Sequence, residues 1–336
     1  MPNFNGQEYL GPCLDSLLNQ SYKNFNVTVV DNASSDDSID LVMRNYPQVG
    51  LIENDRNTGF AGGCNAGLRQ GLAGGAEFFV LANSDVVAEP DWLKELVAAA
   101  ASDERIGICQ SLILLADQPG RINTAGNEAH FLGFGYCGHY REEDRGQFSQ
   151  ITDVPFASGS ALLVRRRLLE DIGLFDERLF MYQEDLDLSW RARLAGWRVV
   201  MAPRSRIYHN YSFDRNKEKY YYLERNRLYV SIKNYSGRSL LVLAPAFAGA
   251  EVAMLAWAAA GGWLAQKLKG YLYLARNARM LFEERCLLQR RRRVDDSLVS
   301  SFWTDKMAFS DLQDSPLTRA ANPVSRWYWK LARRLM

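Results

Sequence analysis

The chain lacks most of the signatures that fix a function at a glance. Its five cysteines (Cys13, Cys64, Cys109, Cys137 and Cys286) are odd in number, widely spaced and without a Cys-x-x-Cys pair. That argues against a disulfide framework and a zinc-thiolate site, and favours reduced thiols in the cytoplasm. The glycines between Gly59 and Gly67 do not follow G-x-G-x-x-G and no Walker lysine accompanies them, so neither the dinucleotide fingerprint nor a P-loop is present. No basic and apolar leader opens the sequence, which begins Met1-Pro2-Asn3-Phe4-Asn5-Gly6. Internal repeats and low-complexity tracts are absent too. The longest apolar stretch, Leu240 to Leu264, is interrupted by Pro245, Glu251 and Gly261-Gly262, which makes it a poor clean membrane span despite its length.

What is present is a chain of 336 residues, 47% of them hydrophobic, enough for one large α/β domain with an appendage. The net charge of +1 hides a polarity. Residues 1–200 hold 16 Lys or Arg against 28 Asp or Glu, and residues 201–336 hold 24 against 11. The acidic body argues against nucleic acid there, while a basic, apolar tail suits an anionic membrane surface.

Helical spacing of Tyr9, Leu10, Cys13, Leu14, Leu17 and Leu18 is followed by the β-branched run Val27-Thr28-Val29-Val30 and the polar segment Asp31 to Asp36. The pattern continues with a helix near 38–46, a strand at Leu51-Ile52, a glycine-rich turn and helix from Asn57 to Gly71, and a strand at 78–82. Alternation of this kind predicts a parallel sheet with helices on both faces. A helix after Pro90 and a strand from Ile106 to Leu115 follow. Residues 116–153 read as an irregular, polar, variable loop region. Beyond it come an apolar segment at Ala161 to Val164, a helix through Leu168 and Leu169, an acidic cluster, and a strand from Arg198 to Met201.

Several residues in this frame could carry chemistry. Asp31, directly after a strand, could accept the imide N–H of a uracil or thymine ring, or could simply close an Asx turn. The run Asn57-Thr58-Gly59-Phe60-Ala61-Gly62-Gly63 would let backbone N–H groups approach a diphosphate or a sugar, or would serve tight helix packing. Asp85, ending Asn83-Ser84-Asp85 at the carboxyl end of a strand, could bind Mg²⁺ or Mn²⁺ or cap the next helix. His209 is a candidate second ligand, although an isolated histidine is commonly structural; His130 and His139 receive no role. Glu184, Asp185 and Asp187, crowded after Phe180-Met181-Tyr182, could include a carboxylate with a raised pKa fit to act as a base, or could be a solvated helix start.

In their order along the chain these segments resemble the family 2 inverting glycosyltransferases of GT-A fold, in particular the bacterial rhamnosyltransferase-like branch. The resemblance covers roughly residues 1–235 and rests on Pro2-Asn3-Phe4-Asn5-Gly6, Val30 to Asp36, Asn57 to Ala61, Asn83-Ser84-Asp85, Gly173 to Glu177, Glu184 to Asp187 and His209. It implies an α/β, Rossmann-like fold with a mixed, mainly parallel sheet flanked by helices. By this resemblance Asp31 contacts the nucleotide base with Pro2 and Asn5 nearby, Asn57, Gly59 and Asn83 lie along the donor site, and Asp85 with His209 holds Mn²⁺ or Mg²⁺. Asp185 is then the general base, with Glu184 and Asp187 orienting the base or the acceptor. Only Met1 stands where family members have a complete first strand, so the expectation is that the true start lies upstream.

The carboxyl-terminal residues 236–336 are expected to form a helical, basic, membrane-associating extension on the cytoplasmic face of the inner membrane. Lys233, Arg238, Lys267, Lys269, Arg276, Arg279 and Arg290 to Arg293 would face anionic headgroups. The leading expectation is an enzyme moving rhamnose or a related sugar from a dTDP- or UDP-sugar to a lipid-linked or other glycan acceptor. A catalytically silent nucleotide-sugar-binding or scaffold protein is the alternative.

Overall fold

The computed structural model describes residues 1–211, 217–307 and 316–336, with the side chains of 316–321 left aside. The chain forms two compact units. The first comprises Met1–Asn127, Cys137–Ala192 and Trp197–Ser212, and the second comprises Glu128–Tyr136, Arg193–Gly196 and Phe213–Met336. Residue 235, where the family resemblance is expected to end, falls within the second unit.

The first unit begins with β1 (Pro2–Asn3), α1 (Gln7–Leu18), β2 (Thr28–Asp31), α2 (Ser38–Asn45) and β3 (Gly50–Glu53). Three strands form a parallel sheet in the order β1-β2-β3, with Pro2 opposite Val30 and Asn3 opposite Asp31. Leu10 and Leu14 of α1 recur at helical spacing, and so pack with Val29, Val42 and Val49 beneath this sheet. Next come α3 (Gly59–Ala73), β4 (Phe78–Ala82), β5 (Val86–Ala88), α4 (Trp92–Ala101), β6 (Ile106–Leu115), β7 (Ile122–Thr124), β8 (Asn127–Ala129), β9 (Gly135–Cys137) and β10 (Thr152–Asp153). After them come β11 (Ala161–Arg165), α5 (Arg166–Ile172), α6 (Glu184–Leu194) and β12 (Arg198–His209).

The larger sheet runs β10-β12-β6-β11-β4, with β5 added on β12 and β7 on β6. β6 and β12 are parallel, whereas β11 is antiparallel to both of its neighbours. Burial on both faces explains the mostly apolar sequence of β6, whose ten residues, Gln110 and Ser111 included, are all buried. Side-chain alternation sends Leu81, Ile108, Leu162, Val164, Val199 and Met201 to a core shared with α3, α5 and α6. Ala82, Cys109, Ile113, Leu163 and Val200 face the opposite core with α1 and α4. The expected α/β sandwich is therefore present, with a sheet of mixed sense.

One expectation needs correction in part. Within residues 116–153, expected as an irregular, polar, variable loop region, Ile122, Asn123, Thr124, Ala125, Ala129, His130, Phe131 and Leu132 are all buried, while 141–153 are mostly exposed. The stretch carries short strands with buried polar residues, which disguises it from any search for hydrophobic periodicity.

The second unit holds α7 (Glu218–Asn234), α8 (Gly237–Ala260), α9 (Leu264–Arg276), α10 (Ala278–Arg291), α11 (Asp296–Val299) and α12 (Pro316–Ala332). An ion cluster ties three of these helices together. Arg227 of α7 meets Glu224 at 2.9 Å and Glu251 of α8, while Lys267 of α9 meets Glu224 and, at 2.6 Å, Glu251. Burial would raise the Glu251 carboxyl, but Arg227, Lys267 and the Tyr271 hydroxyl outweigh it and hold it down at about 2. Lys233 and Lys267 are buried, so these two cations are consumed inside the unit and do not reach a headgroup as expected. Arg238, Lys269, Arg276, Arg279, Arg290, Arg291 and Arg293 are exposed.

Candidate active site

Strand ends and helix starts of the first unit bring most of the expected residues together. β2 ends at Asp31, whose Oδ1 accepts from Asn3 Nδ2 (3.0 Å) and Ser34 Oγ (2.6 Å) and whose Oδ2 accepts the Ser34 N–H (2.8 Å). These bonds close a turn in which Ala33 takes a left-handed φ of 60°. Three donors occupy most of the roughly four lone-pair sites of a carboxylate, so Asp31 has room for one further ring N–H. Asn5, itself at φ 51°, accepts the Ser35 N–H at 2.7 Å and fixes the outer edge of the same loop. Pro2 lies buried in β1 beneath it.

The residue beside Asp31 is the one that sequence reasoning passed over. Asn32 is buried; its Nδ2 donates to the Gly59 carbonyl (3.1 Å), and its Oδ1 accepts from Thr58 Oγ1 (2.8 Å) and Asn54 Nδ2 (2.9 Å). It therefore ties the β2 loop to the start of α3. Its signal in the sequence was an amide, carrying both donor and acceptor, at the end of a strand. Asn57 Oδ1 accepts the Gly59 N–H at 2.8 Å. Gly59 has φ +73°, and a Cβ there would lie 2.3 Å from the Phe180 carbonyl oxygen, so only glycine fits this close approach.

Phe180 in turn accepts the Ala61 N–H at 3.1 Å. It begins a strap in which Phe180, Tyr182 and Gln183 all take left-handed φ angles of 64°, 65° and 70°. Three such non-glycine residues in four positions store strain, and strain of this kind concentrates at functional sites. The strap delivers the chain to α6. Asp185 stands in the first turn of that helix, half-buried, its Oδ1 accepting the Leu186 N–H (2.7 Å) and its Oδ2 the Gly159 N–H (3.1 Å). Burial pushes its carboxyl up to about 6 despite these bonds. Glu184 is buried, and burial together with the Asp185 charge raises its carboxyl well above the usual range. Asp187 differs. It has no exposed surface and pairs with Arg191 at 2.8 Å, whose guanidinium also donates to the Ile172 and Leu174 carbonyls. That makes Asp187 part of the buried framework beneath the start of α6.

Asp85 and His209 meet through sheet register. β5 pairs antiparallel with the end of β12, Val86 opposite His209, so Asp85 emerges beside the imidazole. His209 Nε2 lies 3.3 Å from Asp85 Oδ1, an oxygen that is buried and, among the described residues, has no hydrogen-bond partner. On the other side of the ring, His209 Nδ1 lies 3.0 Å from Asn123 Oδ1 of β7. With Nδ1–H donating to Asn123, the Nε2 lone pair and the Asp85 carboxylate stand side by side, as two ligands of one cation would. A carboxylate oxygen and an imidazole nitrogen suit Mn²⁺ or Mg²⁺, so the residues fit the metal. Among the described residues no cluster of three or more His, Cys, Asp or Glu side chains forms, so other ligands would come from substrate and water. Asn83 precedes this pair and donates its N–H to Ser160 at 3.1 Å.

Asp85 and His209 share a neighbourhood with Asp185. Tyr211 lies 5.7 Å from the His209 ring and hydrogen-bonds Cys137, whose thiol is pushed up to about 11 by burial, with the Asp185 charge adding to it.

Comparison with known proteins identifies the family. The chain is 31% identical over 219 residues to the N-acetylglucosaminyl-diphospho-decaprenol L-rhamnosyltransferase of Mycobacterium tuberculosis, covering 59% of this chain and 70% of the relative. It is 27% identical over 229 residues to the O-antigen biosynthesis protein RfbC of Myxococcus xanthus, covering 63% of this chain but only 17% of that protein. Two solved structures share the GT-A fold. GalNAc-T7 with UDP, GalNAc and Mn²⁺ superposes with a TM-score of 0.57 at 15% identity, over 73% of this chain and 49% of that one. The mannosyltransferase PcManGT of Pyrobaculum calidifontis, with GDP-Man and Mn²⁺, gives 0.51 at 17% identity, over 99% and 84%. The family model described as glycosyl transferase family 2 matches residues 1–173: the chain is a glycosyltransferase and belongs to that family.

Proposed function

We propose that this glycosyltransferase moves rhamnose or a related sugar from a dTDP- or UDP-sugar to a hydroxyl of a lipid-linked glycan acceptor, with inversion at the anomeric carbon. The observation that carries the reading is Asp185: a half-buried carboxylate with a pKa near 6, held by the Gly159 N–H next to the start of α3. In the proposed reaction the acceptor oxygen bonds to the anomeric carbon as its proton passes to Asp185, and the bond from that carbon to the diphosphate oxygen breaks. Attack from the face opposite the nucleotide gives inversion. Asp31, Asn5 and Pro2 would border the base, and Asn57, Gly59 and Asn83 the diphosphate and sugar. Asp85 and His209 would hold the divalent cation, which when bound neutralises charge on the departing diphosphate. The similarity to the mycobacterial rhamnosyltransferase supports rhamnose and a lipid-linked acceptor. The catalytic chemistry belongs to the first unit. The second unit would meet the cytoplasmic face of the membrane that carries the acceptor.

A panel of dTDP- and UDP-sugars with Mn²⁺ or Mg²⁺, scored for binding by calorimetry and for slow hydrolysis, tests the reading. Metal-dependent binding of at least one donor is expected. Its absence across the panel would overturn the proposal.

A further inference from the structure

The last helix of the second unit has two apolar faces where packing needs one. Ser325, Trp329 and Ala332 of α12 are buried, Trp329 stacking on Phe131 at 4.7 Å, and the Tyr328 hydroxyl donates to the Val242 carbonyl of α8. These contacts secure the inner face. The outer stripe is also apolar: Val324 is 66% exposed, Trp327 67% and Leu331 50%, with Leu335 beyond the helix end at 48%. Residues three, four or seven apart lie on one side of a helix, so Val324, Trp327 and Leu331 form a continuous line. Beside it stand Arg326, Lys330, Arg333 and Arg334, all exposed, and residues 322–336 contain no Asp or Glu.

We infer that the outer face of α12 seats in an anionic lipid bilayer, with Trp327 and Leu331 inserted among the acyl chains and the cations on the headgroups. Single exposed apolar side chains need no explanation, but an indole centred in an apolar line and edged by like charge matches an interfacial helix. Charge decides the occupant. Arg326 lies 3.9 Å from Asp305, which leaves an excess of three cations along the helix, and that suits a negatively charged surface, whereas an RNA partner would leave Val324, Leu331 and Leu335 unused. α8 adds to the same character, because Leu241 and Val252 are 79% and 69% exposed and little of its apolar length is buried. α8 is long and apolar enough to cross a membrane by length and composition, yet Glu251 at its middle is locked to Arg227 and Lys267. Crossing would strand those charges. The inference rests on the membrane-side reading above and deepens it by naming the element and the lipid chemistry.

The test uses the full chain and vesicles of phosphatidylcholine alone or mixed with phosphatidylglycerol. Wild type should co-sediment with the mixed vesicles and much less with the neutral ones, each cation contributing about fivefold to partitioning. Trp327→Glu with Leu331→Glu should reduce partitioning at least about tenfold, and Lys330→Glu with Arg334→Glu should abolish the preference for the anionic lipid. Circular dichroism and donor binding, read in the same samples, should be unchanged, because these side chains point away from the packed face. Equal binding by the double apolar variant, indifference of wild type to phosphatidylglycerol, or vesicle-free self-association relieved by the apolar variant would each overturn the inference. Failure of donor binding in wild type would instead defeat the transfer reading and leave the vesicle result standing.

Discussion

At the scale of single residues, the proposed reaction depends on which state Asp185 occupies. Burial raises its carboxyl to about 6, so the base form is available above that pH and is lost as pH falls through it. The acid limb of kcat/KM should therefore have its midpoint near 6; a profile flat through that value would remove Asp185 from the role. Asp185→Asn should lower transfer by about 10²–10⁴-fold while donor binding persists. It should not lower Tm at neutral pH, because a carboxyl whose folded pKa is raised costs the fold stability once ionised. Asn123 acts one step further out. Its Oδ1 lies 3.0 Å from His209 Nδ1, so it sets the tautomer that presents Nε2 towards Asp85. Asn123→Ala should weaken Mn²⁺ binding by about 10–100-fold, read as free Mn²⁺ by electron paramagnetic resonance. Unaltered affinity would mean the ring is oriented by other contacts.

At the scale of elements, the start of α3 and the strap before α6 behave as one piece. Gly59 is the joint, its backbone pressed against the Phe180 carbonyl at positive φ. Gly59→Ala should cost about 1–3 kcal/mol of stability and weaken donor binding as the two segments part. Retained donor affinity and an unchanged denaturation midpoint would show that the strap is not coupled to the donor loop. The sequence revealed some of these elements and concealed others for physical reasons. α1 and β6 were legible because each carries a strong period or a largely apolar run. The strap was not, because left-handed Phe180, Tyr182 and Gln183 contradict local preference and are imposed by their surroundings. Asn123, Thr124, Asn127 and His130 are buried polar residues in or beside strands of three, which look like loop until their partners are known. The pairing of Asp85 with His209 needed the register of β5 on β12, a long-range fact that spacing alone does not contain.

At the scale of the molecule, two units with separate cores imply two places where stability is set. Residues 128–136 and 193–196 join the second unit from within the span of the first, so chain connectivity passes between them several times and each unit is assembled from distant segments. The second unit depends on a charge cluster. Glu251, Arg227 and Lys267 bring together residues 16 and 24 positions apart, which is why Glu251 reads in the sequence as a flaw in an apolar stretch although it is a tether. Its carboxyl is held down at about 2, so its contribution is complete above the unfolded-state value and is lost as pH falls through the folded one. Glu251→Gln removes one partner and leaves two buried cations short of charge, at a cost of about 3–5 kcal/mol. The first unit instead gains from ligand: a donor and Mn²⁺ at a hundredfold excess over Kd should stabilise it by about 2.7 kcal/mol. Differential scanning calorimetry should then resolve two transitions, one raised by donor with Mn²⁺ and untouched by Glu251→Gln, the other lowered by Glu251→Gln and indifferent to ligand. A single transition moved by both perturbations would mean that the shared chain segments couple the units into one cooperative fold, and that the charge tether in the helices sustains the donor site as well.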